Sequence, residues 1–156
     1  MRCRERLEAF LRENRVPFQV QHHVQAFTAQ EVAQREHVAG QLVAKVVIVI
    51  ADGKKAMLVL PAPVRVDLGR AAQALGASTA RLAREDEFAS AFPDCEPGAM
   101  PPFGNLYDLP VWVERALSAD ETIYFPAGTH ADSMSLKYAD FERLVKPTIA
   151  DFGTRA

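Results

Sequence analysis

The chain has 156 residues, 49% hydrophobic and 24% charged, with 18 basic against 20 acidic side chains and a formal net charge of −2. That length and balance fit one domain spanning residues 1–156 and exclude a disordered or fibrous chain. They also exclude a globally basic nucleic-acid binder, so any RNA contact must be local.

No run approaches the ~20 apolar residues that cross a bilayer, and the charged start Met1-Arg2-Cys3-Arg4 leads into no signal core. The expected location is the cytoplasm, with no membrane partner. Cys3 and Cys95 lie far apart, outside any CxxC or Cys/His ligand spacing, and are expected as free thiols of a reducing compartment. Arg2, Arg4, Arg6, Arg12 and Arg15, with Arg81, Arg84, Lys54 and Lys55, form local basic groups. These either meet phosphates or are ordinary solvated faces.

Leu7, Phe10 and Leu11 recur at helical spacing and predict an amphipathic helix from about Arg4 to Asn14, ended by Pro17. Phe18 to His22 reads as a short strand. Thr28-Ala29-Gln30-Glu31 then has the form of a capping box opening a helix to about Arg35. Leu42 to Ile50, Asp52-Gly53 and Ala56 to Leu60 predict a hairpin. A two-residue turn pairs Ala51 with Lys54, and counting back sets Lys45 opposite Leu60. Alternation then groups Lys45 with Val47, Val49, Leu58 and Leu60 on one face.

Asp67 caps a helix to about Leu75, and Arg84 to Phe92 predicts another. Pro93 to Pro110 is too rich in proline and glycine for regular structure and is expected as an ordered loop. Val111–Val113, Thr122–Phe125 and Ser133–Leu136 read as strands, and Tyr138–Val145 as a closing helix before Pro147. The expected fold is mixed α/β (α+β): one compact domain, its mixed and largely antiparallel sheet, or partial barrel, flanked by short helices.

Lys45 is the anomaly, an ammonium within an apolar strand, where an unpaired charge is costly to desolvate. Either it snorkels from an edge strand, or it lines a cleft and meets an anionic or carbonyl ligand. Pro101-Pro102-Phe103-Gly104 offers rigid backbone and an aromatic wall for a pocket, or is a plain turn. Gly128, within Pro126-Ala127-Gly128-Thr129-His130, lets backbone amides approach a substrate oxygen, and His130 is a candidate proton donor. The histidines His22, His23, His37 and His130 have no zinc-type spacing, so no metal is expected. Ser133 or Ser135 with His130 and Asp132 forms a triad on paper, without the GxSxG elbow that would support it.

In chain order, His23 followed by Thr28, Lys45 in an apolar strand, Gly98 before Pro101-Pro102-Phe103-Gly104, and Ala127-Gly128 before a strand and helix resemble the YbaK/prolyl-tRNA-synthetase-associated editing family, over roughly residues 20 to 146. The resemblance implies a free-standing α/β hydrolase that cleaves the ester of mischarged tRNA, without metal or other cofactor. It assigns the family's lysine to Lys45, its glycine-bearing loop to Gly128 and its pocket-lining segment to Pro101, Pro102, Phe103 and Gly104; the expected catalytic set is Lys45, Gly128 and His130 as a helper, and His23, Thr28, Val47 and Thr129 join the segment in substrate binding. Lys45 would orient the terminal nucleotide or the ester, amides around Gly128 would polarise the carbonyl, and a ribose hydroxyl would help position water. The implied partners are the acceptor end of aminoacyl-tRNA and, transiently, a synthetase or elongation factor. The alternative is a non-catalytic module of the same fold that binds a nucleotide or aminoacyl ligand.

Overall fold

A long apolar run meeting a turn that only a few residues can adopt fixes the centre of the fold. In the computed structural model, which describes residues 2–23, 31, 33–34 and 39–155, strands β2 (Ala44–Ala51) and β3 (Lys54–Pro61) form an antiparallel hairpin about Asp52-Gly53. Both turn residues have positive φ, 49° and 81°, as a tight hairpin turn requires. The register pairs Ala51 with Lys54 and Lys45 with Leu60, as counting from the turn predicts. The Asp52 carboxylate accepts from the backbone N–H groups of Ser78 and Thr79. This ties the turn to the start of β5 (Ala80–Leu82), which pairs with β2.

Around the hairpin the five-stranded sheet runs β5-β2-β3-β6-β9, with β6 at Val111–Glu114 and β9 at Thr148–Ala150. The pairs β3–β6 and β6–β9 are parallel. This sheet is therefore mixed, while the pairing over all three sheets is largely antiparallel, as the sequence indicates. A second sheet, β1-β8-β7, joins Gln19–His22, Asp132–Lys137 and Thr122–Pro126 in antiparallel fashion. A third pairs β4 (Val64–Val66) with β10 (Gly153–Arg155). The first two meet at a single parallel bridge, Val43 to Tyr124, and among the described residues no sheet closes into a barrel.

Each face of the hairpin is covered by its own core. Ala44, Ile48, Met57 and Val59 join Leu7 and Leu11 of α1 (Cys3–Glu13), Phe103, Phe125 and Phe141. Val49, Leu58 and Leu60 pack with Val64, Phe152 and Ala71 of α2 (Leu68–Leu75). Burial on both faces explains why β2 and β3 read as nearly continuous apolar runs. Helix α2 starts where Asp67 accepts from Arg70 N–H at 3.0 Å and stops at Gly76 in the left-handed region. The helix expected over Arg84–Phe92 is shorter, an α-helix α3 at Glu85–Phe88 followed by a 3-10 turn at Ala89–Ala91. Tyr138–Val145 forms α4 as expected. Of the helix expected from Thr28 to about Arg35, Glu31, Ala33 and Gln34 are helical; the rest, Thr28 included, lies outside the described residues. No helix is long and apolar enough to cross a membrane.

One expectation is overturned: Cys3 and Cys95 are joined in a disulfide, with Cα atoms 5.1 Å apart across 92 residues of sequence. Ligand-type spacing detects only local cysteine pairs, and this one is made by α1 docking on the loop after Phe92. By chain entropy a closed loop of this size stabilises the fold by on the order of 4–5 kcal/mol.

Two predictions test this frame. A Cβ on Gly104 would lie 2.7 Å from Val111 Cγ2 and 2.8 Å from the Leu109 carbonyl oxygen. Gly104→Ala should therefore lower the free energy of urea unfolding by about 1–3 kcal/mol. For Asp52, the Ser78 and Thr79 amides hold the carboxyl below the ordinary aspartate value. Its stabilisation is fully present above that value and is lost as the pH falls through the lower, folded-state pKa. The urea midpoint of wild type should exceed that of Asp52→Asn near about pH 7, and the gap should shrink by about pH 3.

Candidate functional site

Lys45 sits near the start of β2, half-buried opposite Leu60. Burial pushes its pKa below the ordinary lysine value, and the charge of Arg65 on β4 pushes it the same way. Among the described residues neither cation has a carboxylate within ion-pair distance. Val47 lies on the same face, packed against the second core cluster. An anion placed between Lys45 and Arg65 would relieve both the repulsion and the desolvation cost.

The second group surrounds the turn between β7 and β8. Gly128 has φ 95°, and a Cβ there would lie 2.8 Å from Cys3 Cβ and 3.3 Å from Arg4 N. Only glycine fits so closely against α1. The loop 96–99 is stitched to the turn: Glu96 N–H donates to Gly128 O and Gly128 N–H to Ala99 O, each at 2.9 Å. His130 N–H donates to Glu96 Oε1 at 2.8 Å, and His130 Nε2–H donates to Pro97 O at 2.9 Å. The Pro97 carbonyl only accepts, so this bond puts the ring proton on Nε2. Thr129 Oγ1 donates to Asp132 Oδ2 at 2.6 Å and accepts from Ala131 N–H at 3.2 Å.

Asp132 is the hub of this region. It receives His22 Nδ1 and Thr129 Oγ1, and pairs with Arg4 Nη1 at 3.3 Å. Burial raises the carboxyl pKa, but the bonds from Thr129 and His22 and the charge of Arg4 outweigh it and leave the group below its usual value. Beside it opens a cavity of about 510 Å³, lined among others by Cys3, Arg4, Asp94, Cys95, Gly128 and Asp132.

The structure thus brings together Gly128, Thr129, His130 and, through His23 N–H donating to Ala131 O at 2.9 Å, His23. It sets Lys45 and Val47 apart. By strand alternation these face the second core cluster, whereas Phe103 and Ala127 belong to the first. The two groups are still neighbours in topology. Beyond the Val43–Tyr124 bridge, Lys45 stands two residues along β2 and Pro126 two residues along β7.

Two of the expected site groups are engaged inside the protein. Phe103 is fully buried, its ring 6.3, 5.6 and 5.4 Å from those of Phe10, Phe125 and Phe141, so its side chain fills the core. Pro101, Pro102 and Gly104 are buried with it. The Gly128 amide is already bonded to Ala99 and is not open to a substrate oxygen. The Ala127, His130 and Ala131 amides also have acceptors, which leaves Thr129 N–H as the one amide in 127–131 without one among the described residues. Sequence reasoning did not single out Asp132 with His22, or Arg65 with Lys45. His22 and Asp132 are 110 residues apart and meet through the β1–β8 register. A basic residue on the short strand β4 carries no local signal.

Comparison with known proteins follows this geometry. A protein described as hypothetical has a solved structure that superposes with a TM-score of 0.86 at 19% identity, covering 95% of this chain and 99% of that one. Another, described as a candidate trans-editing enzyme for prolyl tRNA synthetase, gives 0.82 at 19% identity with 97% of each chain covered. A candidate signal transduction protein from Marinobacter aquaeolei VT8 gives 0.73 at 17% identity, and the match spans 30% of that longer chain. At such identities the likeness establishes the fold alone. No curated protein sequence matches. The aminoacyl-tRNA editing domain family matches residues 23–144, which include Lys45, the 96–104 loop and the Gly128 turn. Spanning most of the sequence, that match shows that the chain belongs to the aminoacyl-tRNA editing domain family.

Proposed function

We propose that this chain hydrolyses the ester of mischarged tRNA, acting in the cytoplasm on aminoacyl-tRNA delivered in trans, with transient contact to a synthetase or elongation factor. The observation that carries the reading is half-buried Lys45 with the charge of Arg65 acting on it and no carboxylate in ion-pair distance of either among the described residues, on a chain of the editing family. In this reading they hold a phosphate of the acceptor end. The ester lies at the Gly128 turn, and the flexible single-stranded end of the tRNA bends round the end of β2 to reach both.

Water adds to the ester carbonyl, negative charge develops on the carbonyl oxygen, and the ribose oxygen leaves with a proton, giving free amino acid and intact tRNA. In this reading Thr129 N–H, without an acceptor among the described residues, meets the oxyanion. A ribose hydroxyl beside the ester positions the water, and no side chain forms a covalent intermediate. His130 holds the 96–99 loop against the turn. The reading takes the reaction as metal-independent: the described histidines are drawn into separate contacts, His22 with Asp132, His130 with Pro97 and the His23 backbone with Ala131.

The commitment of most turn amides to internal bonds favours a second reading, a non-catalytic module that binds the same anionic end. The same experiment separates the two. Lys45→Met should abolish turnover of mischarged tRNA, lowering kcat/KM at least about a hundredfold, while chelator leaves wild type unchanged. Removal of this half-buried cation should also raise Tm slightly. Binding of adenosine monophosphate without hydrolysis of any aminoacyl-tRNA would favour the module, and loss of activity with chelator would sink the metal-free mechanism.

The pH dependence has a defined sign. Because the Lys45 pKa is lowered, its ammonium is lost at a lower pH than that of an ordinary lysine. Affinity for adenosine monophosphate should therefore fall on the alkaline side, and Lys45→Arg should move that fall to higher pH. An unchanged profile would show that Lys45 does not hold the anion.

A further inference from the structure

The two cysteines form a contact that the editing chemistry does not use. Cys3 is the first residue of α1 and lies outside the family-matched segment, whereas Cys95 lies inside it. Their disulfide sits directly on the Gly128 turn, since Cys3 Cβ and Sγ would be 2.8 and 3.0 Å from a Cβ on Gly128. The same first turn of α1 sends Arg4 to Asp132, and in it Arg6 Nε pairs with Asp94 Oδ2 at 3.2 Å. Tyr107 Oη lies 3.3 Å from each sulfur and donates to Asp94 Oδ1 at 3.1 Å.

The sulfurs are not equivalent. Cys3 is buried, at 2% exposure. Cys95 is half-buried, and both cysteines line the cavity of about 510 Å³ together with Arg2 and Arg4. An incoming thiolate therefore reaches Cys95, and the displaced sulfur, Cys3, stands at the positive end of an 11-residue helix with arginines on both sides.

From this geometry we propose that Cys3–Cys95 is a thiol–disulfide exchange site for low-molecular-weight thiols of the glutathione class, and that its redox state sets how firmly the start of α1 is held on the Gly128 turn. A thiolate RS⁻ attacks Cys95 Sγ, forming Cys95–S–S–R and releasing Cys3 as thiolate. A second RS⁻ attacks the R sulfur, giving RSSR and the Cys95 thiolate. The disulfide gains two electrons and the two small thiols lose them. The reverse reaction, with RSSR as oxidant, closes the latch. Leu7 and Leu11 are fully buried and keep the rest of α1 seated. The change is thus confined to residues 2–5, the 93–99 loop and the turn. Exchange under cellular conditions rests on the proposed cytoplasmic editing role, because thiols there are kept reduced. The geometry does not depend on that role.

The test uses the full chain and needs no turnover, so its failure is separate from failure of the editing reading. Protein is equilibrated across graded ratios of reduced to oxidised glutathione, thiols are trapped by alkylation and counted by mass spectrometry, and amide hydrogen exchange is measured at each end of the titration. Wild type should lose its two thiols together, and exchange at residues 94–99 and 127–131 should slow by roughly tenfold or more on oxidation. Cys3→Ser should capture glutathione at Cys95, whereas Cys95→Ser should capture little at Cys3. The proposal is overturned if both thiols survive the most oxidising buffer, if exchange at the turn is the same in both states, or if the two variants capture glutathione equally.

Discussion

The β2–β3 hairpin is the constraint on which the rest of the molecule depends. Its Asp52-Gly53 turn admits one register, and because side chains alternate, a slip of one residue would carry every apolar group to the opposite face. Both faces are covered, one by α1 and the phenylalanine cluster and the other by α2 and Phe152. A slip would therefore disrupt two cores at once. The same register fixes Lys45 opposite Leu60, so the position of the candidate anion site is set by packing that extends well beyond it.

The glycine-bearing turn is held by different means. Its amides, the Glu96 and Asp132 carboxylates and the Pro97 and Ala99 carbonyls form a closed set of bonds between the 96–99 loop and the β7–β8 connection. A turn so bonded is rigid, and rigidity suits a site that must present a donor without reorganising. It also restricts which donors remain: of the amides in 127–131, Thr129 N–H is the one without an acceptor among the described residues. Gly128 is needed for a separate reason: its positive φ and the absence of a Cβ let α1 press against the turn.

Much of the fold was legible in the sequence, and the successes share a cause. The hairpin, the Asp67-capped helix and Tyr138–Val145 follow from local rules of turn chemistry, capping and periodicity. The strands that left no clear mark, Val64–Val66, Ala80–Leu82, Thr148–Ala150 and Gly153–Arg155, are three residues each. Three residues cannot display a period, and these segments are strands because a neighbour offers a free edge. Glu114 illustrates the same limit. Nothing local marks it as buried, yet its carboxylate accepts the backbone N–H groups of Ala116, Phe152 and Gly153 and anchors the last strand.

By itself the sequence determined the single mixed domain, the hairpin register, the burial-prone lysine at position 45 and the order of motifs that marks the editing family, because each rests on neighbours in the chain or on their spacing. Tertiary structure alone decided what meets Lys45, that Phe103 belongs to the core, that the Gly128 amide is already bonded, and that Cys3 is joined to Cys95. Each of these is a contact between segments far apart in sequence. Their distance is set by how sheets and helices pack, and no local pattern encodes it.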